Sequence, residues 1–419
     1  MIVIRGGEVL TDRGWIAADL SVDGGRIDTI GPNAHGDVVI EASGCWVGPG
    51  FVDMHAHLRE PGQTWKEDIA SGSAAAAAGG FTAVTAMPNT DPPLDSPAMI
   101  ERVRARAAEV GLTEVVVAAA VSRDRAGRSL SDLEGLYRAG VTVFSDDGDP
   151  VDAHLMGEAL NTLASLPGAI LAQHAEDPTM TVGGHMHEGK VSRALGVGGL
   201  AAEAETEVVR RDLELVARSG ARYHCQHVSA RMTVDLIRSA KRSELAISAE
   251  VTPHHLIFDH EDLSSLDTDF KMYPPLRAPE DREALVAGLR EGTIDVIATD
   301  HAPHLPEEKA VEFEAAPRGV IGLETAASAA WEALGDRDLV FSALSTSPAG
   351  LLGLEDQGRP VAEGRVANLV VFDPSATWVP NGFASKSSNS PFLGREMSGV
   401  VRATLLRGRI THLSPVVIA

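Results

Sequence analysis

Cysteine is nearly absent. Two residues, Cys45 and Cys225, in a chain of 419 exclude a disulfide framework, and both stand in apolar surroundings, as reduced, buried small hydrophobes do. Long hydrophobic runs are missing too: none reaches the roughly 18 residues that a membrane-spanning helix needs. The opening Met1–Gly7 is too short and too quickly polar for a secretory signal, so the cytoplasm is the expected compartment. Lysine is scarce, most basic residues are arginine, and the formal net charge of -23 argues against a nucleic-acid surface. There is no Pro/Ser-rich segment and no block of like charge. With 44% hydrophobic residues the chain reads as compact and soluble. Its length exceeds one ordinary core and suits a large α/β barrel with a satellite domain.

What is present falls into two styles. The first fifty residues alternate and turn often, over Glu8–Leu10, Ile16–Val22, Arg26–Ile30 and Asp37–Ile40, broken by Gly-Gly and Gly-Pro, a pattern of short antiparallel strands. The tail repeats it at Ala367–Asp373 and Arg402–Ile410. Matching ends around a different middle predict one β-sandwich domain built from both termini, residues 1–50 plus 352–419. The middle, 51–351, alternates extended apolar runs ending near His57, Asn89, Val121, Asp147, His174, His227, Thr252 and Asp300 with helical stretches such as Ser96–Val110, Asp152–Leu166, Glu203–Ser219 and Met232–Arg242. Eight such units predict a (β/α)8 TIM-type barrel, whose active site sits at the C-terminal ends of the strands. Ala74–Ala78 before Gly79-Gly80 reads as the end of a packed helix.

Chemistry gathers at those strand ends. In Val52-Asp53-Met54-His55-Ala56-His57 two imidazoles one residue apart point the same way from an extended chain and can grip one ion. His174, His227 and Asp300 close similar runs, and Asp146-Asp147 follows another. Singly, each of the two aspartates suits a turn or a helix cap. Together the set reads as two divalent ions, one on His55 and His57 and the other on His174 and His227, with a carboxylate between them. Such a pair makes a nucleophile from water at neutral pH without serine or cysteine. Asp300, ionised beside the ions, suits a proton shuttle from the attacking water to a leaving nitrogen.

Gly50–Gly62, Ala86-Met87-Pro88-Asn89-Thr90, Phe144–Gly148, His227-Val228-Ser229, Val251–Leu256 and Ala298–His304 together resemble the dihydroorotases of the amidohydrolase superfamily, of the bacterial type whose metal bridge is an aspartate. The resemblance spans nearly the whole chain. It implies two zinc ions per subunit, held by His55, His57, Asp147, His174 and His227, with Asp147 as bridge and Asp300 as ligand and acid/base. It implies substrate contacts from Arg59, Asn89 and His304, Arg59 being well placed to clamp a carboxylate. The implied reaction is reversible hydrolysis of (S)-dihydroorotate to N-carbamoyl-L-aspartate in pyrimidine synthesis. A homodimer is expected, with association with aspartate carbamoyltransferase left open.

Two positions depart from the family pattern. Tyr273 stands where asparagine is usual for a contact to the substrate ring, and Arg318 stands where many members carry phenylalanine. The resemblance implies that Gly319 still offers its backbone to substrate. Hydantoinases, dihydropyrimidinases and allantoinases are the rival enzymes, but they generally use a carboxylated lysine as bridge, and no lysine occupies 144–148. A non-catalytic partner of aspartate carbamoyltransferase is the rival of another class. Against it, every ligand position and the acid/base are present.

Overall fold

The computed structural model describes residues 1–414, so the last five residues of the expected 352–419 segment lie outside the described residues. The opening runs form β1 (Ile2–Thr11), β2 (Gly14–Asp23), β3 (Arg26–Ile30), β4 (Val38–Glu41) and β5 (Trp46–Pro49). The middle supplies β6 (Phe51–Ala56), β7 (Phe81–Ala86), β8 (Glu114–Val117), β9 (Val143–Phe144), β10 (Ile170–Gln173), the two-residue pair β11 (Met186–His187) and β12 (Gly199–Leu200), β13 (Arg222–Cys225), β14 (Ile247–Val251) and β15 (Val296–Ile297). The tail forms β16 (Leu369–Trp378), β17 (Met397–Leu406) and β18 (Arg409–Leu413).

Both ends of the chain enter one eight-stranded sheet, in the order β18-β17-β16-β5-β1-β2-β3 with β4 also on β1. The seam is β16 against β5, antiparallel from Leu369 opposite Pro49 to Phe372 opposite Trp46. Ile4, Val9, Leu20, Val47, Leu369 and Leu405 form its core. The expected strands are therefore present, but not all are antiparallel: β4 and β5 run parallel to β1. The chain returns from β3 to the start of β1, where Asp37 N–H donates to Met1 O, and a strand that begins at that end must run with β1.

Two expected runs are divided. Trp46–Val52 splits at Gly50 into β5 of the terminal sheet and β6 of the middle. A Cβ at Gly50 would lie 2.3 Å from the Thr82 side chain, so only glycine fits that crossing. Arg402–Ile410 is a hairpin: Arg407 (φ 49) and Gly408 (φ 73) are both left-handed, as a two-residue turn between twisted strands requires.

The strands of the middle pair in parallel as β6-β7-β8 and as β9-β10-β13-β14-β15. Parallel bridges Ala119–Phe144 and Ala56–His301 join the two groups at both edges. Val52, Met54, Ala83, Val143, Ala172 and Val296 pack between the strands in one cluster. Helices cover the other face, among them Ile69–Ala78, Pro97–Val110, Ala153–Leu163, Glu203–Ser219, Arg231–Arg242 and Pro279–Arg290. Their ends carry ordinary signals: Asp68 and Asp152 cap N-termini through their side chains, and Gly111 and Gly220 close C-termini in the left-handed region. Aromatics make up only 4% of the chain, yet Trp15, Trp46, Phe51, Trp331, Phe341 and Phe372 meet where the terminal sheet joins the middle, with ring centroids 4.8–6.2 Å apart. Among the described residues no helix is long and apolar enough to cross a membrane.

Candidate metal centre and substrate cleft

Each predicted ligand sits at or just past the C-terminal end of a parallel strand. His55 lies in β6 and His57 follows it; Asp147 follows β9, His174 follows β10, His227 follows β13 and Asp300 follows β15. The folded chain brings them into two groups that share one residue, His55–His57–Asp147 and Asp147–His174–His227, all buried. From Asp147 Oδ1 it is 3.2 Å to His55 Nε2, 3.8 Å to His227 Nε2 and 3.9 Å to His174 Nδ1, while Oδ2 lies 3.4 Å from His57 Nε2. Ligands about 2.0–2.1 Å from a tetrahedral ion stand about 3.4 Å from one another. The first group matches at 3.2 and 3.4 Å, while the second is looser around Asp147, at 3.8 and 3.9 Å. Within each group every donor is an imidazole nitrogen or a carboxylate oxygen, a set that suits zinc and its neighbours.

Two further features fit a cation. Among the described residues His55 Nε2 and Asp147 Oδ1 are buried without a hydrogen-bond partner, which costs about 1–3 kcal/mol for each group unless something else satisfies it. His174 Nδ1 and His227 Nε2 are 2.8 Å apart, an N–H···N hydrogen-bond length that is shorter than the spacing of two ligands on one ion, so the pair would part slightly to share one. Burial, reinforced by His227, pushes His174 down to about 3, so its ring is neutral and offers a lone pair. Burial raises Asp147, but His55, His227 and His57 outweigh it and hold the carboxyl well below the ordinary range.

The sequence left Asp146 and Asp147 undivided by physical argument. Adjacent residues turn opposite ways: Asp146 accepts from Ser122 N–H at 3.0 Å, while Asp147 faces the histidines. Arg125 Nη2 donates to the carbonyls of Asp146 (3.0 Å) and Asp147 (2.6 Å) and so fixes this loop. Asp300 stands beside the first group, its Oδ1 3.0 Å from His57 Nε2 and 3.5 Å from His55 Nε2. Burial opposes its ionisation, yet His55, His57 and His227 bring it to about 2. Arg59 (φ 55), His227 (φ 31) and Asp300 (φ 45) all hold left-handed backbone without being glycine, a strain of order 1–3 kcal/mol apiece that clusters here.

Sequence reasoning missed Glu250. Its Oε1 accepts from His55 Nδ1 at 2.6 Å and its Oε2 bonds His224 Nε2 at 2.9 Å, fully buried in β14. A carboxylate on Nδ1 fixes the tautomer and turns the Nε2 lone pair of His55 toward Asp147. The only signal was a lone acid inside the buried run Ile247–Val251. Glu250→Gln is expected to lower metal affinity about 10–100-fold while the protein stays folded. Metal titration of the apoprotein reads this, and unchanged affinity would refute the orienting role. Asp53 was missed as well: it accepts from Thr299 N–H at 2.9 Å and ties β6 to the turn that carries Asp300.

A cleft of about 220 Å³ opens over these groups, lined by His57, Arg59, Asn89, Asp147, His174, His227, Tyr273, Asp300, His304, Arg318 and Gly319 among others. All the residues predicted to touch substrate therefore reach it. Arg59 forms no ion pair among the described residues, its Nε is buried and unpartnered, and burial lowers it to about 10, still cationic at neutral pH. Asn89 and His304 line the cleft but also bond within the protein. Asn89 Oδ1 accepts from His57 Nδ1 at 2.8 Å, and His304 Nε2 donates to Arg318 O at 2.9 Å. Gly319 has φ +128, and a Cβ there would come 2.8 Å from Ala302 Cβ, so the turn admits only glycine. His254, His255 and His301 stay outside the two groups: His255 bonds Thr252 and Pro274 O, and His301 bonds Glu67.

The same fold occurs in an L-hydantoinase (dihydropyrimidinase) from Arthrobacter aurescens, with a TM-score of 0.87 over 100% of this chain and 97% of that one at 23% identity. A D-hydantoinase (dihydropyrimidinase) from Thermus sp. superposes with a TM-score of 0.82, 24% identity and 99% and 96% coverage. Fold and site together define a cyclic amidohydrolase. Residues 44–233 match the family model described as Dihydro-orotase-like. Dihydroorotases from Mycobacterium tuberculosis (46% identical, 94% of each chain), Anaeromyxobacter dehalogenans (43%, 98% of each) and Streptomyces coelicolor (42%, 98% and 97%) align over almost the full length. The chain belongs to the dihydroorotase family.

Proposed function

We propose that this protein is a metal-dependent dihydroorotase that interconverts (S)-dihydroorotate and N-carbamoyl-L-aspartate, with two zinc ions per subunit. The observation that carries the reading is Asp147 shared between two histidine pairs in a cleft that also presents Arg59, a guanidinium without an ion pair among the described residues. The parallel strands and their two edge bridges support a (β/α)8 barrel over 51–351, and the β16–β5 seam supports a terminal β domain from 1–50 plus 352–419.

Bound at these residues, divalent ions supply Lewis acidity that polarises the ring carbonyl and acidifies water. Arg59 holds the substrate carboxylate, with Asn89 and His304 beside it, and Tyr273 and Gly319 face the ring. Asp300 does the proton work. As water adds to the ring amide carbon, an Asp300 carboxylate oxygen takes its proton; as the C–N bond breaks, the same oxygen returns the proton to the leaving nitrogen. Ring closure runs these steps in reverse.

Hydrolysis of dihydroorotate and cyclisation of N-carbamoyl-L-aspartate, assayed with metal content on one sample before and after chelation, test the proposal. Both directions should vanish on chelation and return with zinc. Faster turnover of an uncharged cyclic ureide than of dihydroorotate would favour the hydantoinase-type reading. Metal-loaded protein with no turnover would favour a scaffold for aspartate carbamoyltransferase. The full ligand set speaks against that scaffold, and the absence of lysine from 144–148 speaks against the hydantoinase type. A cytoplasmic homodimer, alone or with the carbamoyltransferase, is the assembly expected, and sedimentation with and without that partner measures it.

Arg59→Met is expected to raise KM for dihydroorotate about 10–100-fold, the worth of a charged hydrogen-bonded pair, with metal content unchanged. A normal KM in this variant would put the carboxylate clamp elsewhere.

A further inference from the structure

Tyr273 and Arg318, the two departures from the family pattern, meet. The Arg318 guanidinium lies 3.8 Å from the centroid of the Tyr273 ring, and that ring lies 5.2 Å from the His174 imidazole at an interplanar angle of 33°. Arg318, Tyr273 and His174 thus form three layers along one wall of the cleft, the innermost of which is a predicted metal ligand.

The outer layer is built rather than draped. Arg318 Nη2 donates to Gly184 O at 2.7 Å. The backbone beneath it is pinned at three successive residues: Lys309 Nζ donates to Pro317 O (3.1 Å), His304 Nε2 to Arg318 O (2.9 Å) and Asn389 Nδ2 to Gly319 O (3.0 Å). Gly319 N–H in turn donates to Lys271 O, two residues before Tyr273, which locks the two halves of the stack together. Lys271, 2% exposed, directs its ammonium to the carbonyls of Phe313, Glu314 and Ala316. Neither Lys271 nor Lys309 has a carboxylate within ion-pair distance among the described residues, so two of the scarce lysines are used as carbonyl hubs for this loop.

Arg318 likewise has no carboxylate within 4.0 Å among the described residues, and the same is true of Arg59 in the same lining. The lining of this cleft of about 220 Å³ also holds the carboxylates Asp147 and Asp300, but these face the imidazoles. The two guanidiniums are therefore the charges left to meet a substrate, and they favour an anion over a neutral molecule of the same shape.

We infer that Arg318, held over the Tyr273 ring, is a specificity-determining residue of this cleft: its charge selects anionic ring ureides over neutral ones. Arg59 clamps the carboxylate; Arg318 adds a second positive charge to the same lining, and the Tyr273 ring carries that charge beside His174. The inference rests on the proposed dihydroorotase activity. It concerns selectivity and leaves the chemical step to Asp300.

The test compares kcat/KM for dihydroorotate with that for dihydrouracil, the same ring without the carboxylate, in wild type, Arg318→Met, Arg318→Lys and Tyr273→Leu, with metal content and thermal midpoint measured on each. The wild-type preference alone tests the proposed function, whichever way the variants behave. Arg318→Met should lower the dihydroorotate-to-dihydrouracil ratio about tenfold, the size expected for one charge at several ångströms in a partly solvated site, mainly through KM for dihydroorotate. Arg318→Lys should recover much of the ratio, and Tyr273→Leu should lower it in the same direction. If Arg318→Met slows both substrates equally, or if lysine restores nothing, the residue is packing and the inference fails. Loss of metal in Arg318→Met would also overturn it, because the stack would then be serving His174.

Discussion

Asp300→Asn is expected to keep its metal and lose about 10²–10⁴ in kcat in both directions, the range that a positioned general acid/base contributes. The substitution preserves shape and one acceptor oxygen but removes the group that can carry a proton. The geometry favours a selective loss. Asp300 lies outside both three-residue groups, while its Oδ1 sits 3.0 Å from His57 Nε2, at the edge of the first. The imidazoles around it hold its carboxyl below the ordinary range, which favours the ionised form. Because the water's proton is taken and the nitrogen's proton given by one carboxylate, KM should move far less than kcat. Metal analysis and kcat on one sample decide the matter. An apoprotein-like Asp300→Asn would make Asp300 a ligand first and a shuttle second.

The residues of the two candidate groups could be picked out in the sequence because each ends an extended apolar run, and the C-terminal ends of parallel strands converge whatever the intervening helices contain. His55 and His57 also show their common direction by spacing alone. Asp147 did not: the choice between it and Asp146 came from family resemblance, and folding supplies the physical reason, with Ser122 on the neighbouring segment taking Asp146. Glu250 escaped because a single acid in a five-residue strand reads the same whether it faces a histidine, a lysine or water, and its partners His55 and His224 lie 195 and 26 residues away. The parallel pairing of β4 and β5 escaped for a related reason, since alternation reports a half-buried strand and not the direction of its neighbour. Tyr273 and Arg318 were each visible as departures. That they stack on one another depends on loop closure by Lys271 and Lys309, which no local pattern encodes.

Asp147→Asn should have the wider effect, because both groups converge on this residue. Its carboxylate is the only anion in either three-residue set, and four imidazole rings face it. Replacing it removes one negative charge from between two prospective cations and turns one acceptor oxygen into an N–H donor aimed at a ligand site. Each of the two groups would lose the one carboxylate it has to offer an ion. The expected result is a metal content well below that of wild type and a fall in turnover on the order of 10⁴-fold or more, larger than for Asp300→Asn. The loop itself should hold, since Arg125 grips the backbone carbonyls of Asp146 and Asp147 and not the substituted side chain. Circular dichroism and thermal melting should therefore resemble those of wild-type apoprotein. Full metal occupancy in Asp147→Asn would show that the two histidine pairs bind their ions independently, and the shared-bridge reading of this site would have to be abandoned.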